Sequence, residues 1–207
     1  MHGLMNCGWD VYSVDYSIAG IEKHNPSVLP FVSIGDAITD VEACIYSKKR
    51  FNLINLGNVL EHVTDPISLL EKIQKLLLPD GILRIVVPND YSQLQELLQQ
   101  QGSLNYEWVH PPEHLSYFNF DNLPKLLEAT GFKVVNMLAD FPIEFFLANK
   151  HSNYIKDRSK GKDAHLSRVM LSKLIYQRGL DKYIKWSEGL AAAGIGRTCC
   201  IAFAVIK

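Results

Sequence analysis

Residues Phe51–Asn89 read FNLINLGNVLEHVTDPISLLEKIQKLLLPDGILRIVVPN, and this stretch decides the fold class. Phe51–Leu56 is a short apolar run of strand-forming residues that closes at Gly57-Asn58. Thr64-Asp65-Pro66 supplies a helix cap with proline in the first turn, and Ile67, Leu70, Ile73, Leu76 and Leu77 then recur at helical spacing. Leu78-Pro79-Asp80-Gly81 predicts the end of that helix and a turn, and Ile82–Val87 a second strand. Strand, helix and strand in this order form the crossover unit of a parallel sheet, so the fold class is α/β.

The flanking sequence extends the alternation. Trp9–Asp15 reads as a strand that ends on an acidic residue, and Leu29–Ile34 as a second, closed by Gly35-Asp36. Beyond Asn89, Ser92–Gln101 has helical character and Tyr106–Phe120 is an aromatic, histidine-bearing loop. Phe120–Thr130 is predicted as a helix capped by Asp121 and ended at Gly131, followed by a strand over Phe132–Leu138. Lys150–Asp163 reads as a charged linker, Leu166–Trp186 as helix and Thr198–Ile206 as a closing strand. We expect one domain over residues 1–207, with a helical insertion at 150–190 ahead of the last strand.

Composition bounds the function classes. The 207 residues are 47% hydrophobic, enough for one sizeable core, and a formal net charge of -1 gives no overall attraction to nucleic acid or to an anionic membrane. The longest apolar run, Cys199–Ile206, is far short of the roughly 20 residues that span a bilayer, and Met1–Trp9 lacks a signal-peptide pattern. A soluble cytoplasmic protein is therefore expected, with its partners to be read from local features. Cys7, Cys44, Cys199 and Cys200 show neither zinc-ligand nor disulfide-framework spacing and read as packed small hydrophobes. The stretch Lys150–Trp186 mixes Lys, Arg and tyrosines with Asp157, Asp163 and Asp181, which favours a solvated helical lid or an oligomer contact over an anion-binding surface.

In open parallel sheets ligands bind outside the carboxyl ends of the strands, where loops and helix N-termini converge. Asp15 stands at such an end, and its carboxylate could accept two hydrogen bonds from a ribose diol or simply start a turn. Asp36 ends the next predicted strand and could accept from an adenine amino group, although an ordinary turn is the more common use of Gly-Asp-Ala. Gly57-Asn58 would allow close approach of a ligand to the backbone. Glu61 and His62 follow, and as neighbours on a helical turn they are expected to diverge rather than to share a small ligand.

NVLEHVTDP (Asn58–Pro66), LLLPDGILRIVVPN (Leu76–Asn89), PPEHLSYF (Pro111–Phe118) and FDNLPKLLEATGFKVV (Phe120–Val135) together resemble the class I S-adenosylmethionine (AdoMet)-dependent methyltransferases, and within them the ubiquinone-biosynthesis O-methyltransferases. The resemblance covers roughly Gly8–Leu138 and the last strand. It implies a Rossmann-like, mostly parallel sheet with an antiparallel C-terminal strand, and AdoMet as cofactor. It further implies ribose recognition by Asp15, adenine recognition by Asp36 beside Ala37, and contact of Gly57-Asn58 with the methionine end. The relatives carry a Glu where Asn58 stands and use it with the residues matching Glu61 and His62 in a metal-linked set, so no metal is expected here. The loop Trp108–Tyr117 corresponds to their acceptor-facing lid. Methyl transfer to a hydroxyl or amine needs in-line placement and a base, for which His114 is the first candidate and His110 the second; a helix-capping or loop-fixing role for His114 is the alternative.

Relatives also begin with a strand and a GxGxG turn ahead of the strand matching Trp9–Asp15, and no such motif precedes it here. The fold is accordingly expected to lack its first strand. The chain is expected to start at an internal methionine of a longer reading frame; a cofactor-blind paralogue acting through protein contacts, or a strand supplied by another chain, are the other readings. Gly194-Ile195-Gly196 is no substitute, since it leads into a strand rather than out of one into a helix. A nicotinamide-dependent oxidoreductase shares only Asp15 and leaves NVLEHV and LPDG without a role.

Overall fold

The computed structural model describes residues 1–105 and 108–205. The chain divides into two compact units, Met1–Arg50 with Lys72–Leu76 and Phe51–Glu71 with Leu77–Lys207.

The first unit carries α1 (His2–Asn6), β1 (Ser13–Asp15), α2 (Ala19–His24), β2 (Val32–Ile34) and α3 (Ala37–Tyr46). Strands β1 and β2 pair in parallel, Ser13 with Val32 through Asp15 with Ile34. Both are shorter than predicted. Pro26–Phe31 winds as a 3-10 helix with Pro30 inside it; proline has no N–H to give to a ladder, so β2 starts only at Val32 and leaves β1 three paired residues. Helix α3 is started by Asp36, whose carboxylate accepts from the Thr39 amide at 2.9 Å, and it buries Val41 and Cys44.

The second unit holds β3 (Phe51–Gly57), the start of α4 (Pro66–Leu76), β4 (Leu77–Pro88), α5 (Gln93–Gln100), α6 (Leu123–Ala129), β5 (Phe132–Ala139), α7 (Glu144–Leu147), α8 (Gly161–Gln177), α9 (Leu180–Ala192) and β6 (Thr198–Val205). Its sheet has the order β3-β4-β6-β5. Strands β3 and β4 are parallel, while β6 runs antiparallel to β4 on one side and to β5 on the other. The α/β class and the antiparallel C-terminal strand are as expected. Leu83, Ile85 and Val87 on β4, Ile201 on β6, Phe132 on β5 and Leu123 and Leu127 on α6 are fully buried. Burial of each such side chain stabilises by about 1.5–3 kcal/mol.

Several predicted boundaries move, each for a local reason. Leu78–Gly81 does not separate helix from strand: α4 ends at Leu76, Leu77 already pairs with Phe51, and pairing resumes at Ile82 with Leu53. The four residues bulge out of β4, with Asp80 at φ 64 and Gly81 packed so that a Cβ would lie 2.8 Å from the Leu78 carbonyl. Helix α6 starts at Leu123 with Asn122 as cap rather than Asp121, because the Asn119 side chain takes the amides of Asp121 and Asn122. The predicted helix Leu166–Trp186 is two helices broken at Gly179, which sits at φ 116, and the first of them begins inside the predicted linker. Tyr106 and Glu107 of the aromatic loop and Ile206 of the closing strand lie outside the described residues. No described helix is long and apolar enough to cross a membrane.

Candidate active site

In the first unit, the carboxyl ends of β1 and β2 present Asp15 and Asp36. Asp15 is exposed, and its Oδ1 accepts from the Ser17 amide at 3.1 Å, an Asx turn that fixes the carboxylate at the strand end. Asp36 is more engaged. Its Oδ1 accepts from the Tyr16 hydroxyl at 2.5 Å and its Oδ2 from the amide and hydroxyl of Thr39 at 2.9 and 3.0 Å. The Tyr16 hydroxyl, followed by the Thr39 amide, holds the Asp36 carboxyl below its ordinary range. Asp36 is thus the N-cap of α3, with Ala37 as the first helical residue. A carboxylate has about four acceptor positions, so both aspartates retain capacity for a ligand.

In the second unit, the carboxyl ends of β3 and β4 lie side by side, and polar groups collect there. Gly57 ends β3 and is exposed. Asn58 adopts φ 54, left-handed, and its amide donates to the Val86 carbonyl at 2.8 Å; asparagine is among the few residues that take this conformation readily. The chain then makes a 3-10 turn, Leu60–His62, that buries Leu60 completely and leaves Glu61 2% exposed. The loop after Trp108 folds back on this turn: the amides of Leu115 and Ser116 donate to the Glu61 carbonyl, and His62 Nδ1 donates to the Glu113 carbonyl at 2.7 Å.

These contacts gather the imidazoles. The ring of His114 stands 4.9 Å from that of His62 and 5.6 Å from that of His110, edge to face in both cases. His114 is backed by Asp90, with Nδ1 to Oδ2 at 4.0 Å, and Asp90 is in turn paired with Arg197 at 2.9 Å. Contrary to the expected divergence, Glu61 and His62 converge, with Oε1 to Nε2 at 3.8 Å. The bond from His62 Nδ1 to Glu113 leaves Nε2 as its acceptor nitrogen, turned toward Glu61. Donor atoms of Glu61, His62 and His114 all lie within 4.8 Å of one another, a group that could hold a metal ion. Glu61 Oε2 and His114 Nδ1 are buried and take no hydrogen bond among the described residues.

The electrostatics of this cluster follow from burial. Desolvation, and then the neighbouring His62, push the His114 imidazole below its ordinary value, while Asp90 pulls it up. The imidazole is therefore neutral near pH 7 and able to accept a proton. Desolvation raises the Glu61 carboxyl, with His62 opposing.

The structure thus brings His114 and His110 together, and places Gly57 and Asn58 at the end of the neighbouring strand of the same unit. The sequence reading missed Asp90, Arg197 and Asn89. Asn89 is 1% exposed and donates from Nδ2 to the carbonyls of Gly194 and Gly196, which gives that glycine pair a structural use. The signal for Asp90 was its place directly after a buried strand, where the carboxyl-end rule applies; Arg197 is distant in sequence and nothing local marked it.

Comparison with known proteins bears on what this arrangement is. The family model for a methyltransferase domain matches residues 3–137, well over half of the chain. Among solved structures, a SAM-dependent methyltransferase from Archaeoglobus fulgidus superposes with a TM-score of 0.54 at 18% identity, covering 97% of this chain and 80% of that one. The complex of the Haloferax volcanii Trm112 methyltransferase activator with its methyltransferase gives a TM-score of 0.50 at 12% identity, covering 95% of this chain and 72% of that one. No curated protein matches the chain in sequence. The family's residue pattern thus runs over most of the length, and the chain belongs to the methyltransferase-domain family.

Proposed function

We propose that the chain transfers a methyl group to a small-molecule acceptor, at oxygen, with His114 as the base. The observation that carries this reading is the His114 imidazole: half-buried, neutral, with a buried Nδ1 that takes no hydrogen bond among the described residues and faces the Asp90 carboxylate at 4.0 Å. S-adenosyl-L-methionine is the methyl donor, and when bound it supplies an electrophilic methyl on a sulfonium. By the family resemblance, Asp15 would hold the ribose diol, Asp36 with Ala37 the adenine, and Gly57 with Asn58 the methionine end. His114 takes the proton of the acceptor hydroxyl, and Asp90 stabilises the imidazolium that forms. A base so placed contributes about 10²–10⁴-fold in rate. His110, exposed beside His114, relays the proton to solvent.

Calorimetric titration with AdoMet and with its demethylated product tests this. Saturable heat that falls in Asp15→Asn is expected. A folded chain that takes up neither ligand would sink the enzymatic reading and favour a second one, a protein that keeps the fold for contacts with other proteins.

A further inference from the structure

Within the second unit, Glu144 is the group that neither the fold nor the proposed chemistry uses. It opens the short helix α7 and is 2% exposed. Its Oε1 accepts from Gln95 Nε2 at 3.3 Å, while Oε2 is buried and takes no hydrogen bond among the described residues. A buried carboxyl oxygen without a donor costs stability, so its retention calls for a use. Glu144 lines a cavity of about 80 Å³ whose other walls include Leu104, Trp108, Leu147 and Tyr154. A second cavity of about 260 Å³ shares Ile143 and Tyr154 with the first and adds Phe146 and Ala164.

Arg197 ties this space to the histidine cluster. It lines the smaller cavity, yet its charge is already matched by Asp90 at 2.9 Å, so it does not satisfy Glu144. Gln95 is held by its own contacts: its Nε2 also donates to the Asn89 carbonyl at 3.0 Å, and it closes the capping box of α5 with Ser92. The walls are apolar in the main, with Gln95 and Arg197 in the smaller cavity and His165 and Arg168 in the larger as their polar members, and among the described residues they carry one buried acceptor without a hydrogen bond. That is the make-up of a small-molecule site, in which a few polar groups fix orientation.

We propose that these two cavities are the acceptor-binding pocket, and that Glu144 selects acceptors whose apolar, ring-sized body carries a hydrogen-bond donor, a hydroxyl or an amine. The donor group occupies the smaller cavity against Glu144 Oε2, and the apolar body lies along Ile143 and Tyr154 into the larger one. Glu144 is a specificity-determining anchor and takes no part in proton transfer. The assignment of the ligand as the methyl acceptor rests on the methyltransferase reading above; the pocket and its chemistry do not.

The test is direct binding to the 207-residue chain, by ligand-observed NMR, of three molecules of similar shape: 4-methylphenol, 4-methylbenzylamine and 1,4-dimethylbenzene. Expected is binding of the phenol or the amine at least about tenfold tighter than the hydrocarbon, a difference of about 1.4 kcal/mol, and which of the two wins distinguishes hydroxyl from amine. Glu144→Leu removes that preference, and Leu147→Phe, which fills the cavity from another wall, weakens all three. Equal binding of phenol, amine and hydrocarbon, or an unchanged preference in folded Glu144→Leu, overturns the proposal; should Glu144→Leu not fold, unaltered binding to Leu147→Phe overturns it instead. AdoMet is titrated separately. Selective binding of the phenol or amine without AdoMet uptake sinks the methyl-transfer reading alone, whereas AdoMet uptake without any such binding sinks the pocket alone.

Discussion

Arg197 donates from Nη1 to Asp90 Oδ1 at 2.9 Å, joining the segment before β6 to the carboxyl end of β4 across 107 residues of sequence. The two partners are unequally buried, with Arg197 25% and Asp90 2% exposed in their side chains. Removing one partner therefore differs from removing the other. Arg197→Met strands a buried carboxylate and is expected to cost about 3 kcal/mol or more. Asp90→Asn leaves a guanidinium that can reach water and is expected to cost about 1.5 kcal/mol. Urea unfolding of both variants checks the order; equal losses would mean that Asp90 is already satisfied without Arg197.

The same pair tunes His114. Asp90 raises its imidazole and Arg197 lowers it, against a larger lowering by burial. In Asp90→Asn the His114 titration followed by NMR should move further down, and in Arg197→Met it should move up. The stability consequence has a definite sign. The native value lies below the ordinary imidazole value of about 6.5, so between the two the unfolded chain holds more protons. The contribution is complete above that ordinary value and is lost as pH falls through the window. His114→Gln should flatten this part of the pH–stability curve, and a curve of unchanged slope would contradict the assignment.

Glu144 carries the opposite sign. Desolvation raises its carboxyl, with Gln95 and Arg197 opposing more weakly. The native state thus holds the proton to higher pH than the unfolded chain, and stability falls as pH rises from about 4.3, the ordinary glutamate value, through the raised native one. Glu61 and Asp140 are raised by burial in the same way and remain in any Glu144 variant, so the difference between wild type and Glu144→Gln isolates one group. Glu144→Gln should be at least as stable as wild type at pH 7.5 and lose its advantage near pH 4. A Glu144→Gln that is less stable at pH 7.5 would point to an ionised, structurally paired carboxylate.

What could be read from sequence was whatever is local. The strand Phe51–Leu56, the Asp65 cap that takes the Ser68 amide at 3.0 Å and the helix behind it depend on spacing within one turn or one strand. The faces were less legible: Ile67 fits the helical period yet is 50% exposed, and Leu69, outside the predicted stripe, is buried, because the partners of a helix are set by the tertiary fold. His114 stood out through its aromatic loop, but its partner Asp90 and the link to Arg197 join segments far apart in the chain. Glu144 was silent for another reason. A carboxylate at the start of a four-residue helix looks like ordinary surface, and only the closure of Gln95, Trp108 and Tyr154 around it makes it buried.

The turn that delivers Arg197 offers the sharpest structural test. Gly196 sits at φ 136, and a Cβ there would lie 2.6 Å from the Ala139 Cβ and 3.0 Å from the Asp140 carbonyl. Its own carbonyl accepts from Asn89 at 2.9 Å, so the backbone cannot swing away without unpairing a buried amide. Gly196→Ala should therefore combine dihedral strain with a clash against backbone, at a cost of about 3 kcal/mol. Gly194, at φ 67, meets nothing within 4 Å of a Cβ, and Gly194→Ala should cost only about 1 kcal/mol, the price of a left-handed alanine. Urea midpoints of the two variants decide it. Because Arg197 follows directly, Gly196→Ala should also release the hold of Arg197 on Asp90 and shift the His114 titration upward, as Arg197→Met does, whereas Gly194→Ala should leave that titration in place.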